Sequence, residues 1–228
     1  MTVSEFIDEI VGYSDNVNPA GADYADRRQR ILYWLIREAS QVYYHREWPW
    51  RLKPSDPDVV IPADQGWGPL PADYLSLGKL GHVYNMSQNG APVEPATESE
   101  ITDLLAMNSQ VVNSAIYAIY GTDDSVDPPH RKIWMTLSPS DITLRLSYHP
   151  KMPTLDESAN NANLNDACPI EYQETVLIPG VAARAKRSKS DARWKDDLAE
   201  RMDGLKNMVK NCRRFQGGQQ QMPSFFGS

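Results

Sequence analysis

The sequence has few of the residues from which reactive or covalently braced sites are built. Only two cysteines occur in 228 residues, Cys168 and Cys212. Neither has a second Cys or a His at metal-ligand spacing, so the pattern implies no disulfide framework and no zinc site. The four histidines, His45, His82, His130 and His149, are dispersed. No Gly-x-Ser-x-Gly element and no phosphate-cradling glycine loop occurs; Gly78-Lys79-Leu80-Gly81 is a lone likeness inside a predicted strand. Long apolar runs are missing as well. Stretches such as Ala115–Tyr120 and Thr175–Ile178 fall far short of the roughly 20 residues that cross a bilayer. The opening Met1-Thr2-Val3-Ser4-Glu5 lacks the basic start and apolar run of a signal peptide, so a soluble cytoplasmic chain is expected, without a membrane partner.

One grouping has the residue types of a metal or acid–base site: Asp123, Asp124, Asp127 and His130. Its spacing argues against that chemistry. Pro128 and Pro129 stand inside it, no glycine holds the central position that a calcium loop needs, and no second acidic cluster completes it. The expectation is therefore no catalytic residue, no metal and no cofactor.

Charge is distributed unevenly. Met1–Gly180 carries 12 Lys and Arg against 25 Asp and Glu, a balance of −13, whereas Val181–Ser228 carries 11 against 5, a balance of +6. All the basic residues of the second part lie between Arg184 and Arg214.

Periodicity places helices at both ends. Thr2–Glu5 is a capping-box pattern before Val3, Phe6, Ile7, Ile10 and Val11 at helical spacing. A second helix runs from about Ala22 to Glu47, with Tyr24, Ile31, Leu32, Leu35, Ala39 and Val42 on one face and Tyr33, Trp34 and Tyr44 opposite. Trp48-Pro49-Trp50 ends it. In the middle third, Pro54, Pro57, Pro62, Pro69 and Pro71 forbid a long helix, and strands are expected. Tyr74–Tyr84 reads as a strand, with Asn89-Gly90 as the turn that returns it through Ala91–Glu94. Thr97–Glu100 repeats the capping box ahead of one short helix. Ala115–Tyr120, Lys132–Leu137 and Asp141–Tyr148 are expected as antiparallel neighbours, the last two joined by Ser138-Pro139-Ser140.

Residues 151–169, rich in Asn and Asp, read as a long loop. Helix returns over about Ile170–Ser188, with a kink or break expected at Pro179-Gly180, and again over Asp191–Arg214 with Trp194, Leu198, Leu205, Met208, Val209 and Cys212 on one stripe. Phe215–Ser228 has no periodicity that could bury a face and reads as an arm. The fold class is α+β: N- and C-terminal helices (1–53 and 170–214) form a helical bundle, an antiparallel β-rich subdomain (54–150) is inserted, a loop (151–169) follows, and an extended C-terminal arm (215–228) closes the chain.

This order of parts resembles the head-to-tail adaptor (connector) proteins of tailed bacteriophages. The likeness rests on Leu70-Pro71-Ala72-Asp73-Tyr74, the strand pair Lys132–Tyr148, the exit Tyr148-His149-Pro150-Lys151-Met152-Pro153, and the acidic-Asn stretch that leads through Pro169 into the closing helices. It implies a structural virion protein at the head–tail interface and not an enzyme: one that binds the portal protein, offers an attachment site to the tail nozzle or other tail-tube proteins, and associates with itself in a ring, commonly of twelve copies. Genomic DNA would pass through the lumen without sequence-specific binding. On that reading the portal-docking element is Lys206, Lys210, Arg213, Arg214, Phe215, Met222, Phe225 and Phe226, and the subunit interface contains Trp34, Tyr44, Trp48 and Trp50. The alternative is a DNA-binding packaging or regulatory protein that uses the basic C-terminal helix.

Overall fold

Thr2 starts the first helix as its pattern requires: its hydroxyl accepts from the Glu5 N–H at 2.9 Å, and the Glu5 carboxylate accepts from the Thr2 N–H at 2.7 Å. The computed structural model describes residues 2–15, 23–79, 81–107, 116–157 and 161–217. Two units divide the chain, one made from both ends, Met1–Trp48 with Met152–Ser228, and one from the stretch between, Pro49–Lys151. In chain order the helices are α1 (Val3–Asp15), α2 (Asp23–Tyr43), α3 (Glu98–Ala106, in the inserted unit), α4 (Asn161–Ala167), α5 (Ile170–Tyr172), α6 (Ile178–Ser188) and α7 (Trp194–Gly217).

In the helical unit α1 buries Val3, Phe6, Ile7, Ile10 and Val11, and α2 buries Ile31, Leu35, Ala39 and Val42, the apolar stripe that 3.6-residue periodicity sets. Arg28 of α2 clamps α1, donating to Ser4 Oγ at 2.9 Å and to the Asp8 carboxylate. The second helix stops at Tyr43, before the expected Glu47, and Trp48 turns back into the core with its Nε1 donating to the Val42 carbonyl at 2.7 Å.

Two expectations for the C-terminal half are corrected. Residues 151–169 are not a continuous loop, because α4 forms within them. Leu155, Leu164, Ala167 and Cys168 are buried, and the polar side chains between them close local bonds, Asn163 Nδ2 to the Thr154 carbonyl at 3.0 Å and Gln173 Nε2 to Asn165 Oδ1 at 2.8 Å. Nor does Pro179-Gly180 break the helix. The helical run passes from α5 through a widened π turn, Gln173–Leu177, directly into α6. A proline ring clashes with the carbonyl four residues back in an α-helix and brings no N–H of its own. A π turn immediately before Pro179 absorbs both defects by shifting the ladder from i→i−4 to i→i−5, as in the Ile178 N–H to Gln173 carbonyl bond. The consequence is that α6 can be central: Pro179, Gly180, Val181, Ala182, Ala183 and Ala185 are all buried, and the helix packs against α1, α2 and α7.

Among its described residues the inserted unit holds ten strands: β1 (Lys53–Pro54), β2 (Val59–Ile61), β3 (Trp67–Pro69), β4 (Tyr74–Ser76), β5 (His82–Asn85), β6 (Ala91–Pro92), β7 (Glu94–Pro95), β8 (Ile116–Asp123), β9 (His130–Met135) and β10 (Ile142–Pro150). The longest strand, β10, is the spine of one sheet and pairs antiparallel with β1, β2, β4 and β5, while β6 completes the edge on β5. Its alternate residues Ile142, Leu144, Leu146 and Tyr148 point inward. The second sheet runs β3-β9-β8-β7, antiparallel except where β7 meets β8.

The expected three-strand meander is therefore corrected. β8 and β9 are antiparallel neighbours, but Ser138-Pro139-Ser140 carries the chain out of their sheet, and β10 belongs to the other. The two inner faces share one core, with Tyr117, Ile133 and Met135 from one side and Val59, Ile61, Val83, Leu144 and Leu146 from the other. A close approach makes the corner: a Cβ on Gly68 of β3 would lie 2.7 Å from the Val60 carbonyl oxygen of β2. The expected strand Tyr74–Tyr84 is split into β4 and β5, which pair with successive parts of β10. Asn89, at φ 57°, and Gly90, at φ 73°, close the β5–β6 return as expected, and Thr97 caps α3 with the full capping box.

Candidate functional site

The basic run Arg184–Arg214 is the strongest charge feature of the sequence, and the fold engages much of it internally. Glu38, nearly wholly buried in α2, receives Arg184 Nε from α6 at 2.5 Å and Arg201 Nε from α7 at 2.6 Å. Both guanidinium groups also donate to Gln41 Oε1 at 3.2 Å. Gly180 eases the passage: a Cβ there would lie 2.7 Å from Glu38 Oε2 and 3.1 Å from Arg201 Cδ and Nε, so Arg201 passes α6 where no side chain stands in its way. One buried carboxylate thus fastens three helices.

Further along, Lys186 meets Asp197 at 2.8 Å in a largely buried pair. Arg193 holds Asp191 with bonds from its Nε, Nη2 and N–H, and those bonds, the side-chain ones foremost, pull the Asp191 carboxyl down to about 2. Arg187 and Lys195 lie over the Trp194 ring, 5.2 and 6.0 Å from its centre. A nucleic-acid groove requires cations turned to solvent along one face, and several of these are turned to carboxylates instead.

Sequence reasoning did not find Glu38 or Gln41. The one available signal was a carboxylate lying inside the apolar stripe of α2, between Leu35 and Val42.

Of the proposed docking residues, Lys206 and Lys210 are exposed on α7, with Lys206 bonded to Asp203 at 2.9 Å. Arg213, Arg214 and Phe215 lie on the backbone of the last turns of α7, which extends to Gly217, so the helix takes the first residues of the expected arm. Met222, Phe225 and Phe226 fall outside the described residues. Of the proposed interface residues, Tyr44 is about half exposed and accepts from the Met152 N–H at 3.1 Å, and Trp34 and Trp50 are half-buried. Trp48 is corrected: its side chain is wholly buried within the chain and has no surface to offer a neighbour.

In the inserted unit the Leu70–Tyr74 element acts as a lock. Asp73 accepts from Tyr148 Oη at 2.7 Å and from Lys53 Nζ at 2.5 Å, and its carbonyl takes the Lys151 N–H at 2.6 Å. Burial pushes its carboxyl up, but the bonds from Lys53 and Tyr148 outweigh burial and hold it below the ordinary range. Asp123 accepts from Ser125 N at 3.2 Å and Oγ at 2.7 Å, the ordinary chemistry of a hairpin turn between β8 and β9. Among the described residues no group of three or more His, Cys, Asp or Glu is placed to hold a metal ion, and no helix is long and apolar enough to cross a membrane.

The chain thus carries a β unit inserted in sequence within an ion-braced helical unit. The family model described as SU10 adaptor protein matches residues 1–221, and the chain belongs to that family of phage head-to-tail adaptors. Membership makes it a structural component of the virion and implies interaction with portal and tail proteins. No curated protein matches the sequence.

Proposed function

We propose that this adaptor docks under the portal ring, extends its DNA channel and gives the tail its attachment site, without catalysing a reaction. The observation that carries the reading is the family match over residues 1–221, nearly the whole chain. The ring is formed by copies of the chain, commonly twelve in such adaptors.

The docking element is the end of α7 with the residues that follow: Lys206, Lys210, Arg213 and Arg214 for an acidic portal rim, and Phe215, Met222, Phe225 and Phe226 as apolar anchors. The acidic balance of Met1–Gly180, 12 basic residues against 25 acidic, suits a channel wall that repels phosphate and lets DNA slide, because sequence-independent attraction requires Lys or Arg on the wall. Engagement of Arg184, Lys186 and Arg201 with buried carboxylates supports this over the DNA-binding alternative.

The test is to mix purified full-length protein with portal rings and image the product. A ring stacked on the portal is expected, and deletion of Phe215–Ser228 should leave a folded protein that no longer attaches. Attachment that survives the deletion overturns the docking element, and portal rings that stay bare with the full chain overturn the reading.

A further inference from the structure

The helical unit presents two unlike exposed faces, one on α2 and one on α7. On α6, Arg184 pairs with Glu38 of α2 and Lys186 pairs with Asp197 of α7, so each of the two helices is held on one side and turns other residues to solvent.

The outward face of α2 carries Tyr33, 60% exposed, with Arg30 and Arg37 one turn to either side of it and Asp26 a turn beyond Arg30, and Tyr44, 48% exposed, follows just past the end of the helix. Over Asp196–Asp203 the outward face of α7 is the reverse in shape and charge. Ala199 forms a shallow seat, Met202, 44% exposed, rises on one side, and Asp196 stands on the other, with Glu200 beyond it. The lysines of that face already have local partners, Lys195 over Trp194 and Lys206 on Asp203.

We infer that α2 of one copy docks on the first half of α7 of the next, its tyrosine ridge over Ala199 and Met202 and its arginines towards Asp196 and Glu200. The inference rests on the self-associating ring of the proposed function and names the surfaces that make it. Contact between two different patches is head-to-tail and repeats from copy to copy, whereas a two-fold contact stops at a dimer. Charge complementarity also favours this pairing, because Arg30 and Arg37 beside Tyr33 meet Asp196 and Glu200 across the contact.

Disulfide trapping tests this on the full-length chain, since a covalent bond accumulates even a weakly populated contact. The native thiols do not interfere: Cys168 and Cys212 are buried, and burial pushes the Cys168 thiol up to about 12. Tyr33→Cys and Ala199→Cys both lie on exposed positions and leave the core intact. The double variant should give a ladder of covalent multimers under mild oxidation, and each single variant should stay monomeric alone but form a dimer when the two are mixed. Arg37→Glu should abolish the ladder and Asp196→Arg in the same chain should restore it.

Dimers from Tyr33→Cys alone, or a double variant without a ladder, overturn the inference. A ladder from chains that leave portal rings bare would uphold the contact while the portal reading falls, and portal attachment without a ladder does the opposite.

Discussion

Gly204 sits in the middle of α7, where replacing glycine by alanine ordinarily stabilises a helix by about 1 kcal/mol. Here the sign should reverse. A Cβ on Gly204 would lie 2.2 Å from the Thr175 carbonyl oxygen, 2.9 Å from its carbonyl carbon and 3.1 Å from Val176 Cγ2, all in the π turn that precedes Pro179. An unstrained contact needs about 3.5 Å, so α7 must back away by about 1 Å, because backbone atoms cannot rotate aside as a side-chain end can. Overpacking of this kind costs about 1–3 kcal/mol, and a clash with backbone falls at the upper end. Subtracting the gain in helix propensity leaves a net loss of about 2 kcal/mol for Gly204→Ala, a fall in Tm of about 4–8 °C for a chain of this size. Thermal unfolding followed by far-UV circular dichroism reads it directly. A Tm that is unchanged or raised would refute the close crossing of α7 over the π turn. Gly180→Ala should lose less, since the atoms in its way are the movable ends of Glu38 and Arg201.

The ion-paired layer yields further expectations. Glu38→Ala leaves Arg184 and Arg201 facing each other without their carboxylate and should cost about 3 kcal/mol, seen as a lower urea midpoint at unchanged m-value; a loss under about 1 kcal/mol would mean that water compensates the two arginines. Lys186→Ala should be comparably damaging, whereas Lys186→Met combined with Asp197→Leu should be close to neutral, and equal losses in both variants would contradict the reading of a buried pair. Asp191, held down to about 2 by Arg193, contributes stability that is present above the ordinary carboxyl value of about 3.9 and disappears as pH falls towards 2. Arg193→Ala should return its carboxyl titration, followed by NMR, towards the ordinary range; an unmoved midpoint would exclude Arg193 as the cause.

Local chemistry was legible because it depends on residues close in sequence. Thr2 with Glu5 and Thr97 with Glu100 are capping boxes whose four groups lie within one turn, Asn89-Gly90 needs only its own φ values, and the alternation of Ile142, Leu144, Leu146 and Tyr148 follows from the two-residue repeat of a strand. The order helix, β unit, helix, together with the Leu70–Tyr74 element, was enough to suggest the adaptor family. The candidate docking surfaces were legible only as a list of exposed aromatics and basic residues, and Trp48 was misplaced on that list because its burial depends on how the chain turns after Tyr43.

By itself, then, the sequence determined where helices begin, which faces are apolar, and that the charge is split between an acidic body and a basic C-terminal run. The tertiary structure alone decided which strands share a sheet and which charges are used up inside. Ser138-Pro139-Ser140 could have made either a hairpin or a passage between sheets, and the choice rests on β10 finding β1, β2, β4 and β5, contacts up to 95 residues away in the chain at Lys53↔Tyr148. Glu38, Arg184 and Arg201 look like surface charges one by one. They become a buried brace when an arginine from α7 passes α6 at Gly180 to a carboxylate on α2, a meeting across 163 residues that no local pattern encodes.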